Sequence, residues 1–221
     1  KNSLKRRDFV KQSSFAAGAF MASPLVAKGY GFHNSVADEI KVAVVGCGGR
    51  GSGAATQALK TKSNVKLVAM CDAFQDRLDK SLKDIKDAVG MDRVDVPKER
   101  QFVGFDGYKK AIDLCDVVIL ATPPAFRPMH FADAIAKDKH VFMEKPVATD
   151  AAGVRQVLDT AMEAKRKKLN VVVGLQRHYQ TKYREMMNLI HKGKIGDITS
   201  GQVYWNSAGV WVRPREAQQT E

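Results

Sequence analysis

Three glycines and one lysine carry most of the chemistry that this sequence can do. Gly46, Gly48 and Gly51 follow the apolar run Ile40 to Val45 as G-x-G-x-x-G, with Gly49 and Arg50 inside the loop. A second apolar run, beginning at Val65, closes on Cys71-Asp72, and Asp72 lies 21 residues beyond Gly51. The motif alone is weak in a chain with 17 glycines, and its setting is what counts. Between a strand and a helix, Gly46 permits the tight turn and Gly48 lets the main chain approach a pyrophosphate. Gly51 lets the helix pack closely on the sheet. The N–H groups of that helix then face the phosphates. Asp72, at the second strand tip, is placed to accept hydrogen bonds from ribose hydroxyls and to repel a 2′-phosphate. That favours NAD over NADP. Arg50 works against the preference, since it can stack on adenine or meet a phosphate.

Lys145 stands between Glu144 and Pro146 at the end of the apolar run His140 to Met143. Burial and a nearby nicotinamide cation would lower its pKa, making it an acid or base toward a hydroxyl. A paired, structural lysine is the alternative. His130 follows Thr122-Pro123-Pro124 within about one helical turn, which puts it in reach of the nicotinamide. His178 and Tyr179 neighbour Arg177 at another strand tip and read either as substrate contacts or as loop packing. His140 reads as structural and His191 as solvent-exposed. Trp205, Trp211, Arg213 and Arg215 combine aromatic faces, which stack on sugar rings, with arginines that bind hydroxyls or carboxylates. A buried tryptophan beside surface arginines is the competing reading. Cys47, Cys71 and Cys115 are odd in number and lack metal-ligand spacing. They read as small buried hydrophobes, and no metal site is expected.

The elements that must position these residues alternate. Helical periodicity runs from Gln75 to Val89, and a short apolar segment spans Gln101 to Phe105. A helix follows over Tyr108 to Leu114, then a continuous apolar strand over Asp116 to Ala121. Helices over Pro128 to Lys137 and Thr149 to Leu169, capped by Thr149 or Asp150, flank the strand at His140 to Met143. One more strand covers Val171 to Leu175. Uninterrupted apolar strands separated by helices predict an α/β fold, a doubly wound parallel sheet with ligands at the strand C-termini. Beyond it, Tyr183 to His191 reads as a helix and Ile198 to Trp205 as one strand. The expected division is 1–37 as leader and linker, 38–176 as the Rossmann dinucleotide domain, and 177–221 as the start of an α+β open-faced sheet domain.

Composition bounds the function classes. Apolar residues at 44% and charged ones at 27% suit a soluble globular protein. The net charge of +12 invites a nucleic-acid reading. Residues 1–37 hold six basic groups and one acid, however, and the remainder carries a net of +7. Its densest basic run, Lys165 to Lys168, ends a helix and reads as a solvated terminus. No nucleic-acid partner is expected. Lys5-Arg6-Arg7-Asp8-Phe9-Val10-Lys11 resembles a twin-arginine export signal, followed by small apolar residues too short and interrupted to span a membrane. Ser35-Val36-Ala37 is a candidate cleavage site. An ordinary basic amphipathic N-terminus is the alternative. The export reading places the protein in the periplasm or otherwise outside the cytoplasm, carried already folded and loaded with its nucleotide.

The ordered set VVGCGGRG, Cys71-Asp72, VVILATPP, HVFMEKP, and GLQRHYQTKY followed by IHKGKIGDI resembles the Gfo/Idh/MocA family of NAD(P)-dependent sugar and polyol oxidoreductases. The resemblance runs from about Lys41 to Trp205. It implies that Lys145 lies beside nicotinamide and substrate and takes part in proton transfer, with a Lys-Pro bond that is often cis. It also implies that Thr122 and Pro123 line the cofactor, that Glu144 touches its nicotinamide side, and that Arg177 sits where cofactor and substrate meet. The family's further Asp and His lie beyond the last residue here, so the chain reads as the N-terminal part of a longer, homo-oligomeric enzyme. The leading expectation is hydride transfer between NAD and a secondary hydroxyl of a sugar. An exported NAD-dependent glycosidase, acting on glycosides by transient oxidation and elimination, is the second. A dinucleotide-binding module without chemistry is the third.

Overall fold

The computed structural model describes residues 39–208, 215 and 218. The twin-arginine-like segment, Trp211 and Arg213 lie outside the described residues. Six strands, β1 (Ile40–Val45), β2 (Val65–Asp72), β3 (Gln101–Val103), β4 (Val117–Leu120), β5 (His140–Met143) and β6 (Val171–Val173), form one sheet in the order β3-β2-β1-β4-β5-β6. Every pairing is parallel. Parallel neighbours need long crossovers, and each is a helix. These are α1 (Gly49–Leu59), α2 (Gln75–Val89), α3 (Gly107–Asp113), α4 (Arg127–Ala136) and α5 (Ala151–Arg166). The strand order reverses direction between β1 and β4, which is where such sheets hold their ligands.

The apolar strands are explained by burial on both faces. Along β1, Val42 and Val44 join Leu59, Leu67, Leu78 and Ile85 in one core. Ala43 and Val45 join Tyr108, Ile112, Phe131 and Ile135 in the other. Successive side chains of a strand point to opposite faces, so a strand between two helical layers must be apolar throughout. Each such valine or leucine contributes about 1.5–3 kcal/mol. The three described cysteines are free and buried in these cores. Burial pushes the Cys71 and Cys115 thiols up to about 12, so neither is a thiolate.

Helix ends decide how the layers meet the sheet. The Asp150 carboxylate accepts the Gly153 N–H at 2.7 Å, the N-cap bond expected for α5. At the other end the basic run differs from a simply solvated terminus. Lys167 Nζ donates to the Ile135 carbonyl at 2.8 Å and pairs with Asp138 at 2.7 Å. The final carbonyls of α4 lack intrahelical partners, and this lysine supplies one.

A second compact unit begins at Leu175 and contains α6 (Gln176–Tyr179) and α7 (Thr181–His191). Gln176 to Tyr179 is therefore one helical turn. Residues 198–205, expected as a strand, have no strand assignment and are exposed. A strand is defined by a ladder, and a single segment has no neighbour here to pair with.

The loop after β1 is packed backbone against backbone. Gly46 has φ +98°, and a Cβ there would lie 2.6 Å from the main chain of Ala121 and Thr122. A Cβ on Gly51 would fall on the Gly46 carbonyl oxygen. Backbone cannot yield as a flexible side chain does. Gly51→Ala is expected to cost more than about 2 kcal/mol in urea denaturation, and a loss below about 0.5 kcal/mol would contradict this packing.

Candidate cofactor and active site

Five loops converge beyond the carboxyl ends of β1 to β5. The loop from β1 is held down by Gly46 N–H donating to the Cys71 carbonyl at 2.8 Å. It leads into α1, whose N-cap is Gly48, with no side-chain cap bond and no acid in the first turn. The first N–H groups of this helix are thus left without side-chain partners, at the positive end of its dipole. A Cβ on Gly48 or Gly49 would meet nothing within 4 Å. The first and last motif glycines are therefore demanded by protein packing, while Gly48 and Gly49 face open space. That division fits a loop shaped to receive a pyrophosphate.

Asp72 braces the same loop. One carboxylate oxygen accepts the Cys47 N–H at 2.6 Å, and the other accepts the Phe74 N–H at 3.0 Å. A carboxylate has about four acceptor sites, so capacity remains for ribose hydroxyls. Beside it opens a cavity of about 330 Å³, lined among others by Gly46, Gly48, Asp72, Phe74, Arg77, Phe105, Thr122, Pro123, Phe126 and His130. The expected cofactor residues Gly46, Gly48, Asp72, Thr122, Pro123 and His130 are brought together here.

The far wall is aromatic, and composition gave no signal for it. Phe105 stacks on Phe126 at 5.8 Å, Phe126 on His130 at 6.0 Å, and His130 lies 4.1 Å from the Tyr108 ring. The Tyr108 hydroxyl donates to Asp133 at 2.5 Å. His130 is only 4% exposed, and its Nδ1 lies 3.2 Å from the Thr122 hydroxyl. Burial, reinforced by Arg127, lowers its pKa to about 4, so the ring is neutral. The sequence put His130 within reach of a nicotinamide, and the structure puts it in the cavity wall beside the Thr122 hydroxyl.

At the β5 tip the picture departs from expectation in two ways. Lys145 is exposed, so residues 39–174 do not bury it as the apolar run suggested. Its bond to Pro146 is cis. Glu144 is the buried member of the pair, at 6% exposure, and a Cβ on Gly174 would touch its carboxylate. Glu144 Oε1 is reached by Arg50 at 2.6 Å, a contact that the sequence reading did not include. This is an ion pair by distance but is not aligned as a hydrogen bond, since that oxygen has no hydrogen-bond partner among the described residues. The contact links the glycine loop to the lysine-bearing tip.

Arg127 escaped the sequence reading. It is 1% exposed, and its guanidinium donates to the main-chain carbonyls of Thr122 and Glu144. Burial lowers its pKa, opposed by the Glu144 charge. Nothing in Pro123-Pro124-Ala125-Phe126-Arg127 distinguishes a buried arginine from a surface one.

In the second unit Arg177 lies over the Tyr183 ring at 5.1 Å and the Trp205 ring at 5.9 Å, and donates to Gln180 Oε1 at 2.9 Å. Of the cluster Trp205, Trp211, Arg213 and Arg215, Trp211 and Arg213 lie outside the described residues, and the cation over Trp205 is Arg177. His178 and Tyr179 are exposed. His140 is structural, its Nδ1 accepting the Asn170 N–H at 2.9 Å. Among the described residues no group of three or more His, Cys, Asp or Glu is placed to hold a metal ion.

This fold and loop define an NAD-binding Rossmann domain of the oxidoreductase class. The Gfo/Idh/MocA description, "Oxidoreductase family, NAD-binding Rossmann fold", matches residues 40–174, and the chain belongs to that family. Inositol 2-dehydrogenase of Salmonella typhimurium is 31% identical over 164 residues, covering 71% of this chain and 43% of the relative. A glycosyl hydrolase family 109 protein of Shewanella pealeana is 26% identical over 216 residues, covering 90% and 45%. Scyllo-inositol dehydrogenase of Lactobacillus casei, solved with NAD(H) and scyllo-inositol, superposes with TM-score 0.58 at 29% identity over 73% of this chain and 44% of its own. The chain therefore spans less than half the length of these relatives.

Two outcomes test this site. Gly48→Ala is expected to leave the unfolding midpoint unchanged while weakening NAD binding about tenfold or more by calorimetry, because the methyl enters open cavity. Unchanged affinity would remove the loop from the binding site. For His130, the unfolded chain takes up a proton below about 6.5 and the folded protein only below about 4. Between these values the unfolded state binds more protons, so stability falls as pH falls. Going from pH 7 to pH 4.5, the wild type should lose about 2 kcal/mol more than His130→Phe. Equal losses would mean that His130 is not held neutral.

Proposed function

We propose that the complete protein transfers hydride between NAD and a secondary hydroxyl of a cyclic polyol or sugar, with Lys145 exchanging the hydroxyl proton. The observation that carries this reading is the Arg50–Glu144 contact, which ties the phosphate-binding loop to the tip bearing Lys145. A dinucleotide lying from Asp72 across Gly48 would end beside that tip. NAD, when bound, supplies the hydride acceptor. Glu144, Thr122, oriented by His130, and Pro123 would hold its nicotinamide end. Lys145 takes the proton as the carbinol carbon gives up hydride, and returns it in the reverse direction. Exposure suits Lys145 to this role, because a substrate hydroxyl can reach it.

The inositol dehydrogenases among the relatives support a cyclic polyol as substrate class. Arg177, His178 and Tyr179, with Trp211 and Arg213, are the proposed substrate contacts of the second unit. The family 109 relatives favour a second reading, since the Shewanella pealeana match covers 90% of this chain. In it the same hydride transfer is transient and leads to release of an aglycone. Arg6-Arg7 and the following apolar stretch support export of a folded, NAD-loaded protein, and a homo-oligomer is proposed for the full length. No helix among the described residues is long and apolar enough to cross a membrane.

The test uses the full-length protein with inositols, free sugars and nitrophenyl glycosides. Accumulating reduced nicotinamide supports the dehydrogenase, and aglycone release without it supports the glycosidase. Lys145→Ala is expected to lower kcat by about 10²-fold or more with NAD affinity retained. If turnover survives that substitution, Lys145 does not handle the proton.

A further inference from the structure

The last regular rung between β4 and β5 is the Glu144 N–H donating to the Leu120 carbonyl at 3.0 Å. Beyond it the two chains must separate, one into Thr122-Pro123-Pro124 and the other into Lys145-Pro146. Neither Pro123 nor Pro146 has an N–H to continue a ladder. Arg127, from the first turn of α4, fills that gap by donating to the carbonyls of Thr122 and Glu144 at once. These two carbonyls immediately precede Pro123 and Lys145.

A side chain needed only to fill space would be apolar here, because taking a guanidinium out of water is unfavourable before its bonds are counted. The cost is visible in Arg127 Nε, which is buried with no hydrogen-bond partner among the described residues. What arginine offers in exchange is a rigid planar fork that spans two acceptors. A lysine ammonium, as a compact point charge, does not span them in the same way. Full burial also keeps water from competing for either carbonyl.

We propose that Arg127 is a positioning residue that fixes the lysine-bearing tip of β5 against the Thr122-Pro123 bend of β4. It acts through main chain and touches neither cofactor nor substrate. The two tips move as one body because a single buried cation holds both. The catalytic part of the inference rests on the proposed role of Lys145, while the mechanical part does not.

The test compares full-length wild type, Arg127→Met and Arg127→Lys by hydrogen exchange with mass spectrometry, and by Lys145 acylation with acetic anhydride relative to Lys60. In Arg127→Met, exchange in segments 121–126 and 144–148 should rise about tenfold or more, while the α1 amides 52–59 change less than about twofold. The Lys145 to Lys60 labelling ratio should change, and Arg127→Lys should fall between the other two. With NAD and the substrate identified above, kcat should drop about tenfold or more with KM changed much less. Protection lost evenly across the domain, or unchanged at both tips, would overturn the proposal. Should Arg127→Met fail to fold, Arg127→Lys is read by the same criteria. If Lys145→Ala remains active but the exchange result holds, the proton-transfer reading fails and the clamp stands. If Lys145→Ala is inactive and Arg127→Met behaves as wild type, the clamp alone fails.

Discussion

The approach of one backbone to another at the end of β1 is the constraint on which the rest depends. Gly46 turns with a positive φ against Ala121 and Thr122, and Gly51, in the first turn of α1, packs on the Gly46 carbonyl. No side chain fits at either contact, so the loop can lie only in this one place. That placement brings the uncapped end of α1 over the carboxyl ends of the strands and sets Arg50 opposite Glu144. It also brings the Cys47 N–H to Asp72. Loop, carboxylate and lysine-bearing tip are thus located by steric exclusion before any hydrogen bond is considered.

Charge then refines what sterics set. Two arginines grip Glu144 from different sides and in different media. Arg50 meets its carboxylate from a half-exposed position, and Arg127 meets its main chain from within the core. Only the arginine end of the first contact is open to solvent, since the carboxylate it meets is buried. The second contact is buried at both ends. His130, neutral beneath Thr122, avoids placing a second buried cation next to Arg127. The tip beyond β5 therefore combines a fixed backbone with side chains free to respond to a ligand.

Much of this was legible in the residues. Apolar runs of uniform character announced strands buried on both faces, and the glycine spacing announced the loop. Thr149 and Asp150 announced a helix start, and Asp150 is the cap. What escaped has physical reasons. Arg127 is buried through main-chain acceptors, and main-chain carbonyls leave no trace in a sequence. The aromatic wall of Phe105, Phe126 and Tyr108 is assembled from three separate segments. Burial at the β5 tip was assigned to the wrong neighbour, since the strand ends at Met143 and the domain covers Glu144 while leaving Lys145 out. Residues 198–205 show the limit of local pattern, because a strand exists only with its partner.

Asp72 has one further consequence. Its two oxygens brace the glycine loop and the turn into Phe74, while its charge is what would discriminate against a phosphorylated ribose. Selectivity and scaffold are written in the same side chain. A drift toward the phosphorylated cofactor therefore cannot proceed by removing this carboxylate alone. A lineage making that change must first acquire another acceptor for the Cys47 and Phe74 amides, so the order of its mutations is constrained.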